Sequence, residues 1–411
     1  MKRFVMKLTR QISNHNLRSF LWHATFLAFA KNFMDVDTII PSMLVDAGGG
    51  AVHIGIMAAI MMGGSSFTQL FFAPYLSNKR FKKGSLLTAI NIRVSSLAGL
   101  GGLLFLLTTK QSGYVLPLAF IFITLFALAG AFANIGYTDI LGKSVLSDKR
   151  KTFFSSIQII SGVIVLGSSF FVKSMLSWKE YPENYAFMFF TGAGFLLIAT
   201  AGFWNIKEVE SSKLKINGFK DFIKILKREL KHNKRLGYFL GYINTQGVVV
   251  SLLPFIILYA REHFNTHSSD AGTFLMFKVM GTVFVSVLIF MGAKKIRYNV
   301  LLFGNVILSL LLVSFVFFIT EASMLKYIFI LGGTVFSLFS MSLNGLLLEV
   351  SGKENRALYT GFAGAGNILP AVVPIAGGTV IHIFGYNAFF IMFMLIISSA
   401  LFFIIKIDCK K

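Results

Sequence analysis

Residues 299–320 read NVLLFGNVILSLLLVSFVFFIT, and Lys294, Lys295 and Arg297 stand just before them. The run carries no charge. As a helix rising 1.5 Å per residue it would reach about 33 Å, enough to cross the hydrocarbon core of a bilayer. The rest of the chain repeats this unit. Similar runs lie near 18–41, 52–76, 85–108, 115–142, 153–173 and 185–205, and again near 236–260, 270–292, 323–348, 358–383 and 387–406. With 299–320 they make twelve expected spans, and no soluble domain fits between them.

Composition agrees with that reading. Apolar residues form 55% of the 411, charged residues only 14%, and the mean hydropathy is +0.73, too apolar to clothe a soluble domain of this size. The single cysteine, Cys409, excludes a disulfide framework and a cysteine-based metal site. The net charge of +22 would suit a nucleic-acid partner if it were spread over one surface, but it is not. Inside the spans lie Lys31, Arg93 and Lys278. One set of alternate loops holds only Lys110, Lys173, Lys179, Arg261 and Lys326. All other Lys and Arg fall in the N-terminus, the opposite loops, the segment 206–235 and the C-terminal tail. The positive-inside rule therefore puts both termini and the central segment in the cytoplasm of a multi-pass protein of the plasma (bacterial inner) membrane. The charge then serves topology, with anionic membrane lipids rather than nucleic acid as its partner. The basic start and apolar run resemble a signal peptide, but Lys31, Asp35 and Asp37 interrupt the run, so a retained first helix is expected.

Segment 206–235 separates an N-terminal six-helix bundle (1–205) from a C-terminal one (236–411). Within it Phe219, Phe222, Ile223, Leu226 and Leu230 recur at helical spacing among Lys220, Lys224, Lys227, Arg228 and Lys231, the pattern of an amphipathic helix on the inner leaflet or a tether between halves. The halves look related, since Lys151-Thr152-Phe153-Phe154-Ser155-Ser156 and Arg356-Ala357-Leu358-Tyr359-Thr360-Gly361 enter spans five and eleven alike.

These features together resemble the major facilitator superfamily over essentially the whole chain. That family's loop after span two reads roughly Asp-Arg-x-Gly-Arg-Arg; here it is Asn78-Lys79-Arg80-Phe81-Lys82-Lys83, with Lys294-Lys295-Ile296-Arg297 at the matching place in the other half. The basic residues are kept, whereas the acid has become Asn78 and the glycine Phe81. The resemblance implies an all-α fold of two pseudo-symmetric six-helix bundles, alternating access, no cofactor and a monomer. It also implies a cytoplasmic latch around Asn78 and Lys79. Span four has no arginine, and span five lacks the Gly-Pro-x-x-Gly-Gly stretch that drug–proton antiporters of the family carry; Pro374-Ile375-Ala376-Gly377-Gly378 lies in span eleven instead.

Ionisable groups inside a bilayer cost about 2.5–3.5 kcal/mol each on insertion scales and default to functional candidates. In span one Lys31 and Asp35 are four apart, on one helical face, with His23 and Thr38 near the same stripe. Asp35, with Asp37, is the expected proton-coupling site; the alternative is a static pair that neutralises Lys31. Arg93 can snorkel toward Asp139, placing both with Asn78, Lys79, Arg150, Glu349 and Arg356 in a cytoplasmic gate, or it can touch solute. Lys278 can meet an anionic solute group or pair with an acid of the other half. Gln158, Asn244, Gln246 and Asn367, with Lys31, His23 and Lys278, are the expected substrate-binding set.

The expected function is secondary active transport of a small organic solute, proton-coupled, with Lys31 and Lys278 leaning toward an anionic group. The alternative is an efflux carrier for amphipathic drugs or lipids, suited by 46 Phe and 16 Met. An enzyme is not expected: the seven histidines are scattered, and no metal-binding spacing or phosphate loop occurs.

Overall fold

The computed structural model describes residues 2–77, 79–106, 112–144, 147–208, 219–292, 298–351 and 356–407. Every described element is helical. Fifteen α-helices run in order: α1 (Lys2–Phe33), α2 (Ile39–Asp46), α3 (Ala51–Ser77), α4 (Lys83–Leu106), α5 (Ser112–Ser144), α6 (Ser147–Trp178), α7 (Glu183–Trp204), α8 (Phe219–His232), α9 (Lys234–Gly247), α10 (Leu252–Phe264), α11 (Ser268–Gly292), α12 (Tyr298–Val316), α13 (Leu325–Ser351), α14 (Arg356–Ala365) and α15 (Leu369–Ile407). Among the described residues nine helical stretches are long and apolar enough to cross a membrane. One of them, Gly361–Ile407, is 47 residues long and holds two of the expected spans. At Gly385 the backbone turns to φ 78°, which glycine alone adopts readily, so α15 is two helices joined at a corner. The expected first and second spans fall on α1–α2 and α3, outside the nine.

The chain divides into two compact units: Met1–Met34 with Thr68–Phe219, and Asp35–Phe67 with Lys220–Lys411. Residues 35–67 thus group with the C-terminal helices, although by sequence they lie in the first half.

In the first unit α4 lies along α5 and α7, and α1 along α7 and α6. Small residues let these helices approach in a setting where lipid supplies no hydrophobic drive between them. Gly101 faces the Ala186 carbonyl, and Gly202 faces the backbone of Ser19 and the ring of Trp22. Asn32 fastens α1 to α6 by donating to the Val165 carbonyl (2.6 Å) and to Ser168 Oγ (2.7 Å).

In the second unit α11 and α13 make the tightest described crossing. A Cβ on Gly333 would meet the Lys278 carbonyl, and one on Gly281 the Ile330 carbonyl. The polar groups of the seam bond across it: Thr282 Oγ1 donates to the Gly333 carbonyl at 3.1 Å, and the Ser286 and Ser337 hydroxyls lie 2.9 Å apart. The amphipathic helix expected in the central segment is α8. It packs on α14, with Phe222 against Phe362 (5.3 Å between rings) and the Tyr359 hydroxyl donating to Glu229 (3.0 Å), while Lys220, Lys224, Lys227, Arg228 and Lys231 stay exposed.

Candidate functional site

The first span is not the continuous helix that its hydropathy suggests. Helix α1 ends at Phe33, and α2 begins only at Ile39. The break puts backbone groups at membrane depth, where each needs a partner. Asp35 supplies several. Its Oδ1 accepts from the Asp37 N–H (3.0 Å) and the Thr38 hydroxyl (2.9 Å), and its carbonyl accepts from the N–H groups of Ile39 (3.1 Å) and Ile40 (3.0 Å).

Its other carboxylate oxygen holds the ion pair on which the site is built. Lys278 Nζ lies 2.6 Å from Asp35 Oδ2 and 2.6 Å from Asp37 Oδ2. The three side chains keep only 10%, 15% and 12% of their surface exposed, too little for water to carry their charge. Two carboxylates share one ammonium, so the cluster carries one negative charge unless it takes up a proton. Lys278 leaves α11 at the seam where Gly333 touches its own backbone, which fixes its position. At the far end of α2, Arg261 binds the Asp46 carboxylate and the Thr266 carbonyl, tying α2 to the end of α10.

The expected Lys31–Asp35 pair is therefore corrected. The i,i+4 geometry behind it needs helix from 31 to 35, and the backbone leaves the helix after Phe33. Lys278 resolves toward pairing with acids, and its ammonium is fully engaged.

In the first unit Asp139 pairs with Lys82 at 2.8 Å, not with Arg93. This is a second correction. Lys82 is drawn in because both Glu208 carboxylate oxygens accept from the Lys82 and Lys83 N–H groups (2.6 and 2.8 Å), an acidic cap on the start of α4. Arg93 lies over the Phe126 ring instead, 4.3 Å from its centroid. His23 is buried, 4.0 Å from the Phe203 ring and bonded to the Ala199 carbonyl at 3.1 Å, as a packed helix contact would be.

The remaining expected residues scatter. Asn244 is saturated: Nδ2 donates to the Leu240 and Gly366 carbonyls (2.7 and 2.6 Å), and Oδ1 accepts from Ile368 and Leu369 N–H (both 2.9 Å). It braces the break between α14 and α15, which falls inside the expected span 358–383. Gln246 is fully buried and donates to Ser309 (2.7 Å) in a polar cluster with Tyr242 and Asn305. Asn367 lies in the α14–α15 break beside Gly247 and Pro370. Lys79 donates to Ser85 at 2.9 Å and lies over Tyr75. Asn78 and the side chains of Gln158, Arg150, Glu349 and Arg356 lie outside the described residues. Sequence reasoning missed Asp46, Arg261 and Glu208 as pairing groups; Asp46 and Arg261 each close a helix end in an expected loop, the one signal that pointed to them.

No family model matches the sequence, and no curated protein is similar to it. Solved structures do match. A mutant of the nucleoside transporter NupG superposes with TM-score 0.65 at 14% identity, covering 97% of this chain and 98% of that one. A POT family transporter in complex with a thioalcohol-conjugated peptide gives 0.69 at 11%, covering 96% of each. A bacterial homolog of the human lysosomal transporter Spinster, inward-facing and unoccupied, gives 0.61 at 11%, covering 96% and 95%. At such identities the likeness speaks for fold. This chain has the fold of the major facilitator secondary transporters.

Proposed function

We propose that the chain is a secondary active transporter that moves a small organic solute by alternating access and couples it to protons at Asp35, Asp37 and Lys278. One observation carries the reading: two carboxylates converge on a single buried ammonium at a broken helix. With Lys278 the cluster keeps one uncompensated negative charge in a low-dielectric setting, which a proton on either aspartate removes. A second proton leaves Lys278 without an anionic partner and frees α2 from α11. Residues 35–67 are docked on the C-terminal helices here. Their release, hinged at the break after Phe33, is the gating movement this chemistry controls.

The basic-residue pattern supports a multi-pass protein of the plasma membrane with cytoplasmic termini, so the Asp46–Arg261 pair closes the outer end of the same segment. The exposed basic face of α8 then meets anionic headgroups of the inner leaflet. The test is reconstitution in liposomes with a solute found by thermal-shift screening. Wild type should concentrate the solute when a proton gradient is imposed, and Asp35→Asn with Asp37→Asn should retain solute exchange but lose accumulation. Accumulation intact in that double variant rejects proton coupling here.

A further inference from the structure

The two carboxylates that share Lys278 are not equivalent. We propose that they load protons in a fixed order, Asp37 first and Asp35 second, with Thr38 as the positioning residue that sets the order; the inference rests on the transport reading above.

The difference lies in the donors that each carboxylate holds. Asp35 Oδ1 accepts from the Asp37 N–H (3.0 Å) and the Thr38 hydroxyl (2.9 Å), and Asp35 Oδ2 accepts from Lys278 Nζ (2.6 Å). Among the described residues the Asp37 carboxylate has Lys278 alone, 2.6 Å from its Oδ2. Burial does not separate the two side chains, which keep 15% and 12% of their surface exposed. Donors to a carboxylate favour its ionised form, so three hold the charge on Asp35 where one holds it on Asp37. A proton on Asp35 also disturbs the break itself. It puts a donor where the Asp37 N–H and the Thr38 hydroxyl already donate, and a backbone N–H released at membrane depth has no water to turn to. A proton on Asp37 releases no backbone group and leaves the Lys278–Asp35 pair intact.

No other described charge alters this comparison. Helix α2 packs on α10 and α11. On α10, Arg261 binds Asp46 at the far end of α2, Glu262 accepts from Tyr386, and His263 stacks on Tyr259. On α11, Asp270 accepts from the His267 N–H, which leaves Lys278 as the ionisable group that reaches Asp37. The first proton therefore neutralises the cluster with α2 still docked, and the second, on Asp35, takes away the last anion that Lys278 holds.

The test is infrared difference spectroscopy of the full-length chain in proteoliposomes, following the protonated-carboxyl band across a pH series. Asp35→Asn and Asp37→Asn each leave one aspartate beside Lys278. The step that remains in Asp35→Asn, on Asp37, should lie at least about one pH unit above the step that remains in Asp37→Asn, because two donors to a charged group separate them. Adding Thr38→Val to Asp37→Asn should move the Asp35 step up by about one pH unit, and Thr38→Ser should leave it in place. The same Thr38→Val change in Asp35→Asn should not move the Asp37 step, whereas a merely structural role for the threonine would disturb both. Equal or inverted midpoints in the two single variants overturn the order. If Asp35→Asn folds poorly, an Asp35 step unmoved by Thr38→Val overturns it alone. The spectra need no solute, so inverted midpoints in a chain that accumulates solute sink this inference only. The predicted midpoints in a chain that no proton gradient drives sink the transport reading only.

Discussion

Replacing Lys278 with methionine keeps most of the side chain's length and removes its charge, leaving the Asp35 and Asp37 carboxylates facing each other without the ammonium that sits 2.6 Å from each. Removing one partner of a buried ion pair costs about 3–5 kcal/mol, because the other charge stays buried and uncompensated. Two carboxylates lose the same counter-ion here, each at most 15% exposed, so the upper half of that range applies at neutral and alkaline pH. The loss shrinks as pH falls, because protons then neutralise the orphaned groups. Adding Asp35→Asn and Asp37→Asn to the lysine variant should restore most of the stability: asparagine keeps the Oδ1 that accepts from the Asp37 N–H and the Thr38 hydroxyl, while the charges are gone. The assay is equilibrium unfolding by SDS titration across a pH series for the wild type, the lysine variant and the triple variant. A lysine variant as stable as wild type, or a triple variant no more stable than the single one, refutes the reasoning.

Gly333→Leu drives a side chain into the Lys278 backbone, which has no flexible end to yield, so a loss of about 1–3 kcal/mol from overpacking is expected, together with a displaced Lys278; wild-type stability in the same titration counts against it. Asn244→Ala removes the brace that accepts from Ile368 and Leu369 N–H, and a loss of about 0.5–2 kcal/mol is expected by analogy with helix caps. Its companion reading is faster hydrogen exchange at residues 366–369, and unchanged exchange there contradicts the bracing role.

The succession of membrane-length helices was legible because hydrophobic length acts locally and adds up along the chain. The breaks were not. Nothing in the apolar run 18–41 marks Phe33 as a helix end, since the residues that make the break tolerable, Asp35 and Thr38, look equally at home on a helical stripe. Lys278 supplies the rest of that stability from far along the sequence. The length of the Arg93 side chain points it, by sequence, toward Asp139 at the cytoplasmic end of the next span. Glu208, in an expected linker, draws Lys82 into place and gives Asp139 a nearer partner. Asn244 and Gln246 were legible as polar positions in a span, but whether such a residue faces solute or braces backbone depends on the helix that meets it. Lys31, Asp35, Asp37 and Lys278 stand out in the sequence as charges in apolar runs; which aspartates Lys278 meets does not.

The central claim is that protonation of Asp35 and Asp37 controls the docking of α2 on the C-terminal helices. With Cys409→Ser as background, spin labels on Gly50, just beyond α2 where an added Cβ meets nothing, and on exposed Asn265, at the end of α10, report that distance by pulsed electron resonance in nanodiscs. The account predicts two distance populations whose ratio changes with pH, and a ratio frozen against pH when both aspartates are replaced by asparagine. A single distance unchanged across the pH series, or a pH response that persists in the asparagine variant, contradicts it.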